Sequence, residues 1–515
     1  LFVRVARVFQ STAIRWKLLL SLVIVIACPW VGIRSFPEIE IRGAGGAVDL
    51  LFSLITFVVL LVWFCVLSPF SWKQRMGGGI GLLLLPLALL KFDGHQGSFF
   101  PQLSWRWGKG SATEMPLLVG DFPAENVVIS TQGDENFSRF LGESMSNWVS
   151  GGLLPSRWFL NRPRERWRMQ IGEGWSSFAI AGEFAYTMEQ RGPKELTVCY
   201  ELLSGEAVWF HEQEVRFEES MGDDGPRSTP TVVEERVYSF GATGILNCLD
   251  ARSGQKIWGR KLLDEMNHAV PKWAKSTSPL VVDGKVVVTL GREAEGNLIA
   301  LDAHSGEVLW RSGNYSASYA SPVVGSLAGV RQIIALQSSS VDGYSIDTGQ
   351  ILWSFPIRNP QSNCASPLVV DDTVITSAGY GYGTHRIQIT KGADGFEAKQ
   401  LWHSKKLKAK FADLVINNGF LFGLNDGRLT CLNLWDGSLA WRGSNVGHGQ
   451  LLGVGDHLII QEEQGQIRVI EANPNEEVQT TSFHALDHRT WNHPSLAGRY
   501  LLVRNDREAV LFEYQ

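Results

Sequence analysis

The sequence predicts an all-β fold: an eight-bladed β-propeller of four-stranded antiparallel blades, preceded by N-terminal transmembrane helices. Three observations carry that expectation. A hairpin unit ending in Gly-x-x-x-Trp recurs along the C-terminal two-thirds, a second hairpin alternates with it eight times, and the N-terminal region holds long uncharged apolar runs.

The first unit reads LTVCYELLSGEAVW ending at Trp209, ILNCLDARSGQKIW at Trp258, NLIALDAHSGEVLW at Trp310, VDGYSIDTGQILW at Trp353 and RLTCLNLWDGSLAW at Trp441. Alternating residues make a half-buried strand. The Asp/Ser/Thr/Gly cluster supplies a tight turn, and the following strand delivers an indole to a neighbouring sheet. A looser copy, with a longer turn at Gly392 to Gly395, ends at Trp402. Cys199, Cys248 and Cys431 each precede the glycine of a unit by six residues, a packed strand position that suits an inert core thiol.

The second hairpin appears as SSFAIAGEFAYTM, STPTVVEERVYSF, SPLVVDGKVVVTL, SPVVGSLAGVRQIIAL, SPLVVDDTVITS, ADLVINNGFLFGL, GQLLGVGDHLIIQ and HPSLAGRYLLVRN. Proline at the start of five of them falls where a missing N–H is tolerated. Two hairpins per period give a four-stranded unit of about 44 residues, the size of a propeller blade. The last copy is followed only by REAVLFEY, so its outer strand is missing, and ERWRMQ around Trp167 looks like an outer strand without partners. The two are expected to complete one blade, closing the ring and removing its open edges. Trp167, Trp209, Trp258, Trp310, Trp353, Trp402 and Trp441 are the expected docking residues between sheets.

The chain has 515 residues, 44% apolar, with 53 glycines, 19 tryptophans and 19% charged residues. This is too apolar for general disorder. The net charge is −5, and with no long basic run in the C-terminal bulk, nucleic acid is a poor partner. Six cysteines are too few for a disulfide scaffold in so long a chain.

Residues 1–92 read as a membrane anchor with apolar segments 18–33, 50–70 and 77–90. Arg4, Arg7, Arg15 and Lys17 precede the first segment, and Lys73 and Arg75 lie between the second and third. By the positive-inside rule three spans place the propeller on the periplasmic, non-cytoplasmic side of a bacterial inner membrane, in a multi-pass protein. Two spans with a cytoplasmic propeller, and a cleaved signal peptide for the first segment, are the rival readings. The chain begins with Leu1 rather than Met, so its natural start is open. Residues 93–165, rich in Gly, Pro, Ser, Trp and Arg, are expected to run as an extended segment against the propeller of residues 166–515, because their backbone groups need partners.

The Asp-x-x-Ser/Thr-Gly-x-x-x-Trp units resemble the repeats of the pyrroloquinoline quinone (PQQ) propeller superfamily, over about residues 135 to 515. That superfamily includes quinoprotein alcohol dehydrogenases and a non-enzymatic outer-membrane assembly lipoprotein. The runs FEESMGDDGPRSTPT, KFADLVINNGFLFGLNDGRLTCL, GHGQLL and TWNHP look like a bacterial group known only as PQQ-like propellers. The resemblance implies the fold and leaves chemistry open, since both enzymes and binding platforms share it. A dehydrogenase of this kind would bind PQQ with Ca²⁺ through cationic, amide and carboxylate groups, and many members add adjacent cysteines. No Cys-Cys pair occurs here.

In a propeller the segments leading into the innermost strands converge at one channel mouth, where a site on a rigid ring is expected. Here they contribute Glu218, Glu219, Arg227, Trp273, Lys275, Tyr319, Asn363, Lys410, Asp413, His448, Gln450, Trp491, Asn492 and His493. This mixed ring suits an anionic or polar ligand or a peptide terminus, or else satisfies loop backbones. His484, His488 and His493 read as structural rather than as metal ligands, and Gly379 to Gly383 as a turn lacking a phosphate loop's lysine. The favoured expectation is a membrane-integral envelope propeller acting as a non-catalytic binding or scaffolding module for a protein or polymer partner, with no catalytic residues and no metal. The alternative is a PQQ-dependent membrane-bound oxidoreductase. A ligand sensor, lacking a visible cytoplasmic signalling domain, is a third possibility.

Overall fold

The structure is a computed structural model that describes residues 45–68, 70–95, 101–106, 136–149, 160–219, 221–291, 296–357 and 362–515. The chain divides into two compact units, residues 1–113 and 114–515.

The first unit contains α-helices Gly45–Val62 and Trp72–Leu89 and a two-stranded antiparallel sheet of Leu90–His95 with Pro101–Trp105. The apolar run 50–70 is not one continuous helix. Its α-helix stops at Val62, passes into a π-helical turn at Trp63–Leu67 and ends at Ser68 in extended backbone. Each α-helix has 18 residues, about 27 Å at 1.5 Å per residue, against about 30 Å of hydrocarbon. Among the described residues no helix is long and apolar enough to cross a membrane. The expected segment 18–33 lies outside the described residues.

The second unit carries eight four-stranded antiparallel blades: residues 179–213, 231–261, 280–312, 323–356, 368–404, 415–445, 450–484 and 495–513, the last completed by the strand Arg164–Gln170. The first strand of each blade is innermost, since these first strands neighbour one another around the ring. Arg164–Gln170 pairs antiparallel with Glu508–Glu513, with Trp167 opposite Leu511. The ring is thus closed by strands from both ends of the domain, and no blade is left with an unsatisfied fourth position.

Burial follows position in the blade. In blade 1 the second strand, Phe184–Arg191, is buried throughout, whereas the outermost, Ala207–Gln213, buries only Trp209 fully. That indole crosses to the next blade, donating to Ala251 O at 3.0 Å. Trp167, Trp258, Trp310, Trp402 and Trp441 donate in the same way to Leu202, Ala303, Ile346, Leu434 and Asn473 carbonyls at 2.9–3.1 Å. Five of the six rings also lie against the turn glycine of the next blade, and this explains the fixed Gly-to-Trp pattern. A Cβ on Gly254 would fall 2.5 Å from the Trp209 ring.

Trp353 differs. Its indole donates to Gln332 Oε1 of its own blade at 2.6 Å. The next blade replaces the glycine turn with the long hairpin Gly383–Gly392 and Gly395–Ser404, whose Phe396 and Ala398 pack on the core around Trp353.

Gly254 and Gly284 provide an internal control, since both have φ of +70° but a Cβ on Gly284 meets nothing within 4 Å. Gly284→Ala is expected to cost only the left-handed strain, about 1–2 kcal/mol. Gly254→Ala must in addition displace Trp209. Denaturant unfolding of the two variants checks this, and equal losses would contradict the inter-blade contact.

Candidate functional site

Three layers of interaction converge where the loops enter the innermost strands. The outermost is a belt of side-chain acceptors linking successive blades. His493 N donates to Ser177 Oγ at 2.7 Å, Ser177 N to Thr229 Oγ1 at 3.1 Å, Thr229 N to Ser278 Oγ at 3.0 Å, and Ser278 N to Ser321 Oγ at 2.9 Å. Ser366 N donates to Asp413 Oδ1 at 2.6 Å. Most of these residues stand at or beside the prolines of the second hairpin, so the short Ser/Thr-Pro signature joins one blade to the next as well as starting a strand.

Several expected site residues belong to this structural layer. Asn363 Nδ2 donates to Gln337 O at 2.9 Å, Asn492 Nδ2 to Ser176 O at 2.7 Å and Gln450 Nε2 to Trp491 O at 3.0 Å. Lys275 is fully buried, donating to Thr289 Oγ1 at 3.1 Å and to Leu290 O. Burial brings its ammonium down to about 7. Glu219 accepts from Met221 N and Gly222 N at 2.9 and 2.6 Å, and the exposed Glu218 accepts from Arg216.

Burial pushes the Asp413 carboxyl up to about 7, although the Ser366 contacts oppose it. Between its ordinary value of 3.8 and 7 the unfolded chain ionises this group while the folded chain keeps the proton. Its contribution is therefore fully present below pH 3.8 and is lost as pH rises toward 7. Asp413→Asn retains an acceptor for Ser366 N and cannot ionise. It is expected to be more stable than wild type, on the order of 1–3 kcal/mol by pH 8, with the gain growing between pH 4 and 7. Melting midpoints across that range check it, and a pH-independent difference would contradict it.

The second layer is aromatic and cationic. Trp175 and Trp491 pack at 5.0 Å between ring centres, and Phe411 lies 5.7 Å from Trp491. The Arg489 guanidinium lies 4.4 Å from the Trp491 ring and pairs with Asp223. Lys410 Nζ sits 4.9 Å from both the Tyr380 and Phe411 rings, and Lys272 Nζ 4.4 Å from Trp273, all within cation–π range. Trp491 Nε1 donates to Glu463 Oε1 at 3.0 Å, and Glu463 Oε2 accepts from His448 N at 3.0 Å. Burial, then Lys410, brings His448 down to about 4. Arg227 lies 5.5 Å from Phe217 and donates to Asp223 O at 2.7 Å.

Groups from different blades meet here. Burial raises the Cys364 thiol to about 12, with Asp413 adding to the effect and Lys410 and Arg227 opposing it. Arg227, Trp273, Tyr319, Tyr380, Phe411 and Trp491 are all half-buried. Trp175, Tyr380, Phe411, Arg489 and Glu463 were not among the residues expected from sequence. Trp175 occupies the entry to blade 1 as Trp273 and Trp491 occupy theirs, a positional signal available in GEGWSS. Tyr380 is hidden in the glycine-rich turn.

The third layer is a segment inside the ring. Residues 136–149 lie on the axial side of the innermost strands. Phe137 exchanges backbone hydrogen bonds with Ile180 at 2.9 and 2.8 Å, and Val232 N donates to Ser138 O at 2.8 Å. Trp148–Val149 adds to blade 7 as a parallel fifth strand beside Gly453 and Val454. The buried Asn147 donates to Leu451 O at 2.9 Å and Leu414 O at 3.3 Å, and its Oδ1 lies 2.7 Å from His493 Nε2. Met145 packs against the apolar clusters that join blade 3 to blade 4 and blade 4 to blade 5. Leu141, Met145 and Asn147 all take positive φ, from 52° to 65°. Such a conformation persists only when surrounding contacts determine it.

PQQ with Ca²⁺ needs several converging oxygen ligands. The mouth carboxylates Glu219, Asp413 and Glu463 instead accept from nearby backbone and indole N–H groups. Among the described residues no three His, Cys, Asp or Glu lie together in a metal-holding group. The described residues do not fit that cofactor.

The geometry defines a closed eight-bladed propeller with an aromatic, cation-backed mouth. The protein family described as outer membrane protein assembly factor BamB matches residues 193–443. A BamB from Shewanella oneidensis is 21% identical over 330 residues, covering 61% of this chain and 80% of that protein. The crystal structure of BamB from Moraxella catarrhalis aligns with a TM-score of 0.52 and 15% identity, over 69% of this chain and 98% of that one. Quinohemoprotein alcohol dehydrogenase from Comamonas testosteroni aligns with a TM-score of 0.55 and 11% identity, over 74% and 80%. At such identities the structural likeness is one of fold, an eight-bladed β-propeller similar to the PQQ-like propellers. The expected multi-pass placement in the inner membrane is corrected by these findings. The sequence relatives are named for the outer membrane, and among the described residues no helix is long and apolar enough to cross a bilayer.

Proposed function

We propose that the propeller is a non-catalytic binding platform that holds a protein partner at the cell envelope through its aromatic mouth. One observation carries this reading. Partly exposed rings of Trp273, Tyr319, Tyr380, Phe411 and Trp491 surround the mouth, while Glu219, Asp413, Asn363 and Gln450 beside them already bond to loop backbone groups. Aromatic anchors on a rigid frame are what protein interfaces use for affinity. The sequence relatives carry the name of an assembly factor rather than of an enzyme, which supports the same reading. In the first unit, the exposed side chains of Leu54, Val58, Val62 and Val66 provide an apolar attachment surface for a further contact.

A photo-crosslinking residue at Trp273 or Tyr319 is expected to capture one discrete envelope protein in cells. The same group at Trp435, exposed on a turn of blade 6, is expected to capture none. Adding PQQ and Ca²⁺ to the purified chain is expected to give no dye reduction with an alcohol panel. Turnover in that assay, together with no crosslink from either mouth position, would defeat the proposal.

A further inference from the structure

The Arg139 side chain, on the segment inside the ring, makes no hydrogen bond among the described residues, and its buried Nε is unsatisfied. Of nearby charges only Glu143 acts on it, and burial lowers its pKa, as expected of a cation short of counter-charge. It borders a small cavity of about 20 Å³, open to solvent on one side, that is also lined by Thr231, Ser278, Leu280, Ser321 and Val323. A volume of that order holds one water or one small polar group.

The polar side chains of the lining are Arg139, Thr231, Ser278 and Ser321, and its other members are apolar. Ser278 Oγ and Ser321 Oγ each accept a backbone N–H, which leaves both hydroxyl hydrogens without an acceptor among the described residues. Thr231 Oγ1 donates to Pro279 O at 2.7 Å. No carboxylate lines the cavity. A guanidinium remains protonated at neutral pH and presents a planar fork of donors. Its complement is a planar anion with two acceptors, small enough for the space, and a tetrahedral dianion is a poorer match.

We propose that this cavity is a carboxylate-binding site with Arg139 as its anchor and Ser278 and Ser321 as supporting donors. The site is distinct from the aromatic mouth and stands independently of the scaffolding reading. The carboxylate belongs either to a small free acid or to the end of a peptide, and the test separates the two.

Trifluoroacetate is the probe, followed by fluorine NMR at constant ionic strength with the purified full chain. The wild type is expected to broaden the resonance, and acetate is expected to reverse the broadening. Arg139→Gln should reduce the broadening roughly tenfold, and Arg139→Lys should restore part of it. Because the side chain makes no hydrogen bond, both variants should melt close to wild type. Competition by a short peptide with a free C-terminus, and not by its amide, would assign the site to chain ends. Competition by acetate alone would assign it to small acids. No broadening by wild type, broadening that survives in Arg139→Gln, or displacement by chloride far more effective than by acetate would overturn the proposal.

Discussion

Arg504→Met is expected to destabilise the propeller by about 3–5 kcal/mol, the loss typical of removing one member of a buried charged network. Arg504 is 1% exposed and sits where blade 8 meets blade 1. Its guanidinium donates to Thr187 Oγ1 at 2.8 Å, to Met188 O at 3.0 Å and to Gly172 O at 2.8 Å. Those acceptors belong to blade 1 and the segment entering it, so one side chain fastens the seam where the two ends of the domain meet. The buried Glu189 nearby is paired with Arg191 at 2.7 Å and accepts from Gly172 N at 2.9 Å. Methionine would fill much of the volume and take the charged donor away from these buried acceptors. Denaturant unfolding gives the loss directly, and a change below about 1 kcal/mol would show that the seam is held by other contacts.

Trp209→Ala is expected to cost a similar amount, about 3–5 kcal/mol for a large aromatic removed from a close-packed site. The ring is 3% exposed, donates to Ala251 O and lies against Gly254. Trp209→Phe should recover much of the packing and lose the hydrogen bond, leaving a deficit of about 1–2 kcal/mol. If the phenylalanine variant were no better than alanine, area burial would not be the main contribution of the indole.

The repeats were legible in the sequence because each part of the hairpin has a local cause. A glycine with positive φ is needed at the turn, and an indole four residues later reaches the neighbouring blade. The closing strand was legible for a related reason: a blade with three strands implies a fourth, and ERWRMQ had no other partner. Trp353 kept the sequence pattern but changed partner, because the glycines of the next blade's longer hairpin, Gly392 and Gly395, lie out of reach of any ring. Only the length of that hairpin hinted at this.

The site was less legible. Asp413, Asn492 and His493 stood out as polar residues near a channel, yet each is bound into the loop belt, a distinction that spacing alone does not encode. Residues 136–149 have no periodicity, and their partners lie on strands up to hundreds of residues away, so their place inside the ring had no local signature. Arg139 and Arg504 belong to no charge motif in the sequence. One is saturated with carbonyls and the other has none. The apolar N-terminal runs suggested spans by composition, whereas the described helices stop at 18 residues.

The central claim is that strands from opposite ends of the domain share one blade. Arg164 and Glu513 are register partners in that blade, so combining Arg164→Cys with Glu513→Cys and oxidising the native protein tests the claim most directly. The closed-ring account expects near-complete formation of a disulfide between the two substituted positions, identified by mass spectrometry of the joined peptides, with a raised melting midpoint. Absence of that crosslink in protein that retains its native β-sheet spectrum would contradict the account.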